Sequence, residues 1–437
     1  MKYKGKIFLF AALLLACFVV MKADVTEAKG IETKAKTAII VDAGTGKVLY
    51  AKDAEEALPP ASMTKMMTEY IVLEHIANGE ISWDTPTEIS DYAYWISGND
   101  NFSGLGLTQN KDYTVKSLYE AMAIYSDNGT SVALAELIAG SEGKFVKMMN
   151  EKAEELGLST AKFVNSTGLD NETLEGKHPE GTKEDDTNLM SARDAATLAY
   201  HIVNDYPEAL EISGTPETTF DDTEIRNYNW MLDHDAEFLK QYYYEGVDGL
   251  KTGNTEKAGY TFTATAERDG KRLIVVVMKT KSEDERFKET AKLFDYGFDK
   301  FEEVELFPAN YQLENESTVA VEKGKADTVD IATKEAILAP IEKGTEDQYK
   351  VTYKLDDKLI NEDGELTAPI KKGEKVGIAE IVVDEGEDFG YILDDSKKIT
   401  VDLVTTEDIA KKNWFSLMLS AIGQFFVGLF DKIMGLF

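Results

Sequence analysis

The stretch YTFTATAERDGKRLIVVVM, residues 260–278, decides the fold. Tyr260 to Ala266 and Arg272 to Met278 alternate or run apolar and β-branched, and Arg268-Asp269-Gly270 between them is a turn signal, which predicts a β-hairpin. Far upstream, Ala38-Ile39-Ile40-Val41 and Val48-Leu49-Tyr50 flank Gly44-Thr45-Gly46-Lys47 and predict a second hairpin. That turn is too short for a phosphate loop and lacks the following Ser or Thr. Residues 62–210 carry helical spacing, including Thr64 to Ala77, Val115 to Tyr125 and Ser131 to Ala139. Strands at both ends of a helical middle predict one α/β unit whose first and last strands share a sheet. Past Phe307 short Val, Ile and Thr runs separated by pairs such as Lys323-Gly324 and Asp363-Gly364 predict a small all-β domain, roughly Phe307 to Val404. No solenoid repeat and no low-complexity linker interrupts the chain.

At 437 residues the chain exceeds a single typical domain. With 43% hydrophobic and 29% charged residues it reads as a soluble body, neither disordered nor polytopic. A formal charge of −33 repels phosphate backbones and argues against nucleic acid as partner; otherwise it reads as a solvated surface. The single cysteine, Cys17, lies in the N-terminal apolar run, so a cleaved chain has no disulfide, thiolate metal site or cysteine nucleophile. His75, His178, His201 and His234 show no paired ligand spacing, and no metal site is expected. The nucleophile should be a hydroxyl whose base need not be histidine.

Both ends suggest a membrane. Lys2, Lys4 and Lys6 precede an apolar stretch from Ile7 to Met21, with small residues at Ala23 and Ala28: the layout of a secretory signal peptide, residues 1–28. An uncleaved anchor, or lipidation at Cys17, is the alternative. From Trp414 to Phe437, Ser416, Ser420, Gln424, Gly428, Asp431 and Gly435 recur at spacings of three or four within an apolar segment. This predicts an amphipathic helix lying in the headgroup boundary, within residues 405–437. A buried core helix or a spanning tail remains the alternative.

Ala61-Ser62-Met63-Thr64-Lys65 places a serine at a helix start and a lysine one turn later on the same face. A lysine with lowered pKa can take the hydroxyl proton, and a helix N-terminus favours a developing oxyanion. Alone, Ser-x-x-Lys is commonly capping; Ser141-Glu142-Gly143-Lys144 fits the pattern too and reads as a surface turn. Two further motifs change the weight: Ser126-Asp127-Asn128 at the junction of two helix patterns, and Lys251-Thr252-Gly253 opening a hairpin strand. Ser97-Gly98-Asn99 competes with Ser126, but its Gly and Asn neighbours read as loop.

Ser-x-x-Lys, Ser-x-Asn and Lys-Thr-Gly in that order resemble the penicillin-recognising serine enzymes. Together with Phe163 to Leu169, Val247 to Gly253 and Lys257-Ala258-Gly259-Tyr260, nearly the whole chain resembles the low-molecular-mass penicillin-binding proteins that are D-alanyl-D-alanine carboxypeptidases. Departures are Asp127, where glycine or alanine is usual, and Asn254, where histidine or serine often stands. The resemblance implies an α/β (α+β) penicillin-binding/β-lactamase-like transpeptidase domain with an antiparallel sheet and a helical subdomain at residues 29–306. An all-β domain at 307–404 and the amphipathic helix follow.

By the same resemblance, Ser62 attacks the penultimate D-alanine carbonyl of a peptidoglycan stem peptide, Lys65 is the acylation base, and Ser126 relays protons. Asn128 holds the substrate amide, Ser62 and Asn254 supply oxyanion-hole N–H groups, and Lys251, Thr252 and Arg286 bind the terminal carboxylate beside Gly253. For Arg286 an ion pair with Glu283 or Glu289 is the plainer reading. No cofactor is required. β-Lactams would be stable acylating inhibitors, and the setting would be the outer face of a bacterial cytoplasmic membrane. A β-lactamase is the rival within the enzymes, although no Glu-x-x-Leu-Asn segment is present. A non-catalytic penicillin-binding sensor or scaffold is the rival outside them.

Overall fold

The computed structural model describes residues 31–384, 386–393, 398–414 and 418. The signal segment 1–28 and nearly all of the tail helix lie outside the described residues. Both predicted hairpins form: β1 (Thr37–Asp42) with β2 (Val48–Lys52), and, after β3 (Val247–Thr255), β4 (Gly259–Arg268) with β5 (Lys271–Thr280). They join in one five-stranded antiparallel sheet of order β2-β1-β5-β4-β3, with Ile39 opposite Val276. The first and last strands of the unit are thus neighbours.

Apolar runs such as Ile39-Ile40-Val41 and Leu273 to Met278 do not alternate because both faces of these strands are covered. Ile39, Val41, Ile274 and Val276 join the core of the helical middle. On the other face Ile40 and Leu273 press against Gly297 of the helix Glu283–Lys300. Each fully buried aliphatic side chain here contributes about 1.5–3 kcal/mol.

The helices are α1 (Lys65–Ala77), α2 (Asp91–Ser97), α3 (Val115–Tyr125), α4 (Asn128–Ala139), α5 (Glu142–Glu155), α6 (Ala192–Asp205), α7 (Ala209–Ser213) and α8 (Glu283–Lys300). Side-chain caps set several starts: Thr114 for α3, Asp127 for α4, Ser191 for α6 and Ser282 for α8. Two local expectations are corrected. Ser141 is no surface turn but the N-cap of α5, whose Glu142 is buried and accepts from the Ser166 backbone N–H and hydroxyl. Ser97 is not in a loop but closes α2, buried.

The β-rich region begins at β6 (Phe301–Phe307), which pairs with β9 (Ile337–Glu342). Its larger sheet uses β7 (Thr318–Glu322), β8 (Thr328–Thr333), β10 (Tyr349–Leu355), β11 (Leu366–Thr367), β12 (Lys375–Val383) and β13 (Thr400–Thr405) in the order β10-β12-β13-β8-β7-β11. A second core around Ile331, Ile341, Ala379 and Leu403 fills it. Residues 406–412, given to the tail helix by the sequence reading, run extended against this sheet: Ile409 bridges Ile370 and Lys411 bridges Gly324. Helix begins only at Trp414. Among the described residues no helix is long and apolar enough to cross a membrane.

Residues 386–393 tie the two regions together. The Val48 N–H donates to the Gly390 carbonyl and the Ile392 N–H to the Gly46 carbonyl, both at 2.9 Å, so this segment covers the free edge of β2. Lys47, nearly buried, pairs with Asp388 at 2.7 Å.

Candidate active site

Ser62 sits in a 3-10 turn, Ala61–Thr64, that leads directly into α1, and a partly exposed nucleophile is thereby set one turn before Lys65. Two contacts hold the turn on β4: the Thr261 hydroxyl donates to the Pro60 carbonyl at 3.0 Å, and the Thr263 hydroxyl to Met63 Sδ at 3.4 Å. Ala61 is left-handed at φ 49°, an uncommon conformation for a residue with a Cβ. Two glycines permit the close approach of neighbouring chain. A Cβ on Gly168, at φ 89°, would lie 1.9 Å from the Ala61 carbonyl oxygen, and one on Gly253 would lie 2.6 Å from that of Pro60.

Lys65 is fully buried. Its Nζ lies 3.1 Å from Ser62 Oγ and donates to Asn128 Oδ1 and to the Thr167 carbonyl, each at 2.8 Å. A neutral amine has two N–H bonds; with those two acceptors fixed, its lone pair is left for the Ser62 hydroxyl. Burial, and then the positive charge of Lys251, pull Lys65 well below the usual lysine range, with Asp127 and Glu69 opposing. The amine therefore gives up its proton more readily than an ordinary lysine and is suited to act as a base.

Ser126 caps the end of α3 in the left-handed conformation, φ 62°, and its buried Oγ has no hydrogen-bond partner among the described residues. Asn128 opens α4 and also donates from Nδ2 to the Ser103 carbonyl at 2.9 Å. Between them, Asp127 explains itself: it accepts from the Thr130 N–H at 2.6 Å, from the Ser97 hydroxyl at 3.0 Å and from the Leu105 N–H. Ser97, the competing candidate for the second motif, thus supports the Ser126 turn from behind.

Lys251, Thr252 and Gly253 lie on β3, the edge strand beside the nucleophile, with Lys251 and Thr252 both buried and Asn254 exposed. Burial lowers Lys251, against the attraction of Glu69. Arg286 on α8 is 2% exposed, donates to the Gly253 carbonyl at 3.2 Å and pairs with Glu283 at 3.1 Å. The ion pair of the plainer reading forms, but on a guanidinium buried behind the Lys-Thr-Gly strand rather than on the surface. Sequence reasoning missed Glu69, the Thr167 carbonyl and the Ser97–Asp127 pair. The sole sequence signal for Glu69 is its place four residues past Lys65 on the same helix face, which a solvated carboxylate would share. No group of His, Cys, Asp and Glu able to hold a metal occurs among the described residues.

A buried lysine against a serine that follows a left-handed alanine, a second serine and asparagine beside them, and a Lys-Thr-Gly strand along the edge define a serine acyl-transfer enzyme of the penicillin-recognising class. Residues 22–282 match the peptidase family of D-alanyl-D-alanine carboxypeptidases, and residues 301–411 match the C-terminal domain of penicillin-binding protein 5. The chain belongs to that carboxypeptidase family. It is 32% identical over 403 residues to the D-alanyl-D-alanine carboxypeptidase DacF of Bacillus subtilis, covering 92% of this chain and 93% of that one. Among solved structures it is similar to a peptidoglycan synthesis regulatory factor (PBP3) from Streptococcus pneumoniae, with TM-score 0.69 and 35% identity over 87% of this chain and all of the other. Penicillin-binding protein D2 from Listeria monocytogenes in its ampicillin-bound form matches 62% of this chain and 99% of its own, with TM-score 0.51 and 32% identity. The match of the C-terminal domain begins at residue 301, where β6 begins.

Proposed function

We propose that the chain removes the terminal D-alanine from peptidoglycan stem peptides through an acyl-enzyme on Ser62. The observation that carries this reading is the 3.1 Å approach of Lys65 Nζ, buried and held by two acceptors, to Ser62 Oγ. Lys65 takes the hydroxyl proton as Oγ attacks the penultimate carbonyl carbon. The backbone N–H groups of Ser62 and Asn254 stabilise the oxyanion. The amide bond breaks as Ser126 passes a proton to the leaving D-alanine amine, and water then hydrolyses the ester along the reverse proton path. Asn128 holds the substrate amide.

Lys251, Thr252 and Arg286 meet the substrate's terminal carboxylate, with Gly253 allowing the strand to lie close. Lys251 and Thr252 offer that carboxylate charge-assisted hydrogen bonds, and Arg286, although paired with Glu283, adds positive charge behind the strand. β-Lactams, which carry a carboxylate at the matching distance from an acyl carbon, acylate the same serine and leave slowly. The apolar segment after Lys6 and the amphipathic pattern after Trp414 support export and attachment to the outer face of the cytoplasmic membrane, where the substrate resides. A chromatographic assay for D-alanine from a peptide ending in D-Ala-D-Ala tests the activity. No D-alanine together with rapid benzylpenicillin turnover would make it a β-lactamase, and stable acylation without peptide cleavage would leave a sensor or scaffold. For attachment, flotation with anionic vesicles compares the full chain with one ending at Lys412; equal flotation would remove the tail from the account.

A further inference from the structure

Glu69 lies four residues after Lys65 on α1, and is 1% exposed. Carboxylates are almost never buried to this depth without partners, yet Glu69 Oε1 has none among the described residues. The titratable groups acting on it or acted on by it are Lys65 on its own helix, Lys251 on β3 and Tyr119 on α3, whose buried hydroxyl is likewise unpartnered. Asp127 acts on Lys65 and Arg286 on Lys251, while Arg286 is itself paired with Glu283. Charged groups on the other helices against α1 face other partners: Lys152 of α5 pairs with Glu74, Glu142 of α5, itself pushed up to about 7 by burial, accepts from Ser166, Asp194 of α6 accepts from Thr160, Asp205 of α6 from Tyr70 and His201, and Glu136 of α4 from Ser90.

We propose that Glu69 is a positioning residue for this reaction: its buried carboxylate, within electrostatic reach of both lysines, sets how protons divide between the base Lys65 and the carboxylate-binding Lys251. The inference rests on the carboxypeptidase reading. Burial pulls both lysines toward the neutral form, and Lys251 lowers Lys65 further, while burial pushes the Glu69 carboxyl up to about 7 against the pull of the two lysines. Glu69 raises both. In its ionised form it therefore favours the charged form of Lys251 against burial, while Lys65, beside a second cation, stays the more readily deprotonated of the two.

The test is the pH profile of kcat/KM for D-alanine release by the wild-type full chain, Glu69→Gln and Glu69→Asp. In the wild type the acid limb reports loss of protons from the interacting Lys65 and Glu69 and the alkaline limb loss from Lys251; in the glutamine variant the acid limb belongs to Lys65 alone. Removing the negative charge lowers both pKa values, so the glutamine variant should shift both limbs to lower pH by about one unit. Aspartate, charged but one methylene shorter, should lie between. A glutamine profile lower in height with unmoved limbs would assign Glu69 a packing role and overturn the proposal. Should the glutamine variant not fold, unmoved limbs for Glu69→Met, which also removes the charge, would overturn it equally. Benzylpenicillin acylation, followed over the same pH range, gives the limbs by a second reaction, so a wild type that releases no D-alanine would count against the carboxypeptidase reading rather than against the role of Glu69.

Discussion

At the scale of single residues, the site depends on one hydroxyl and on amines held away from their ordinary protonation. Ser62→Ala removes the attacking oxygen while leaving the turn intact, and should lower D-alanine release roughly 10⁴-fold or more without changing the melting temperature by more than a degree or two. Burial places Lys251 below the ordinary lysine range. The folded protein thus loses that proton at lower pH than a free lysine would. KM for a carboxylate-bearing peptide should accordingly rise on the alkaline side well before pH 10, whereas KM for the corresponding C-terminal amide should be poor throughout and nearly flat. Ser62, Lys65, Ser126, Asn128 and Lys251 could be singled out in the sequence because their three motifs, in that order, resemble those of the penicillin-recognising enzymes; spacing alone would have left Ser62 a helix cap and Ser97 a rival to Ser126. Glu69 and Asp127 could not. A carboxylate on a helix reads as solvated surface, and only the packed structure reveals that Glu69 is 1% exposed and Asp127 fully buried.

At the scale of elements, the catalytic groups come from the turn before α1, the α3–α4 junction and β3, and the joints between these elements are where substitutions should tell. Gly253 lets β3 lie against the nucleophile turn; in Gly253→Ala the new Cβ meets the Pro60 carbonyl oxygen and Thr261 Oγ1, both at 2.6 Å. Acylation by penicillin should slow at least ~100-fold, for about 1–3 kcal/mol of stability. Asp127→Ala removes the α4 cap and leaves the buried Ser97 hydroxyl without its acceptor, which should cost about 2–4 kcal/mol in urea unfolding. Both hairpins and α3 could be read closely, since turn signals and helical spacing are local properties. The Ser141 cap and the end of α2 could not, because a serine that caps and a serine in a turn look alike until the following residues are seen to be buried.

For the whole molecule, the balance is set by charge and by the joint between the two β-containing regions. A formal charge of −33 opposes compaction, and raising salt from low ionic strength to about 0.5 M shortens the screening length several-fold. Thermal unfolding at neutral pH should therefore move up by several degrees over that range; a flat response would mean that local ion pairs already balance the surface. The all-β texture past Phe307 was visible in the sequence, but the β6–β9 pairing was not, because β6 reads as a charged continuation of α8. Nor was the edge of β2 covered by residues 386–393, a contact between positions more than three hundred residues apart. The central claim is that Ser62, activated by Lys65, carries the acyl group. Peptide-mapping mass spectrometry of the protein after exposure to benzylpenicillin, run beside an assay for D-alanine release, tests it most directly. The account predicts one penicilloyl group on the peptide containing Ser62, absent from Ser62→Ala, with D-alanine released by the wild type; an adduct on another residue, or peptide cleavage undiminished in Ser62→Ala, would contradict it.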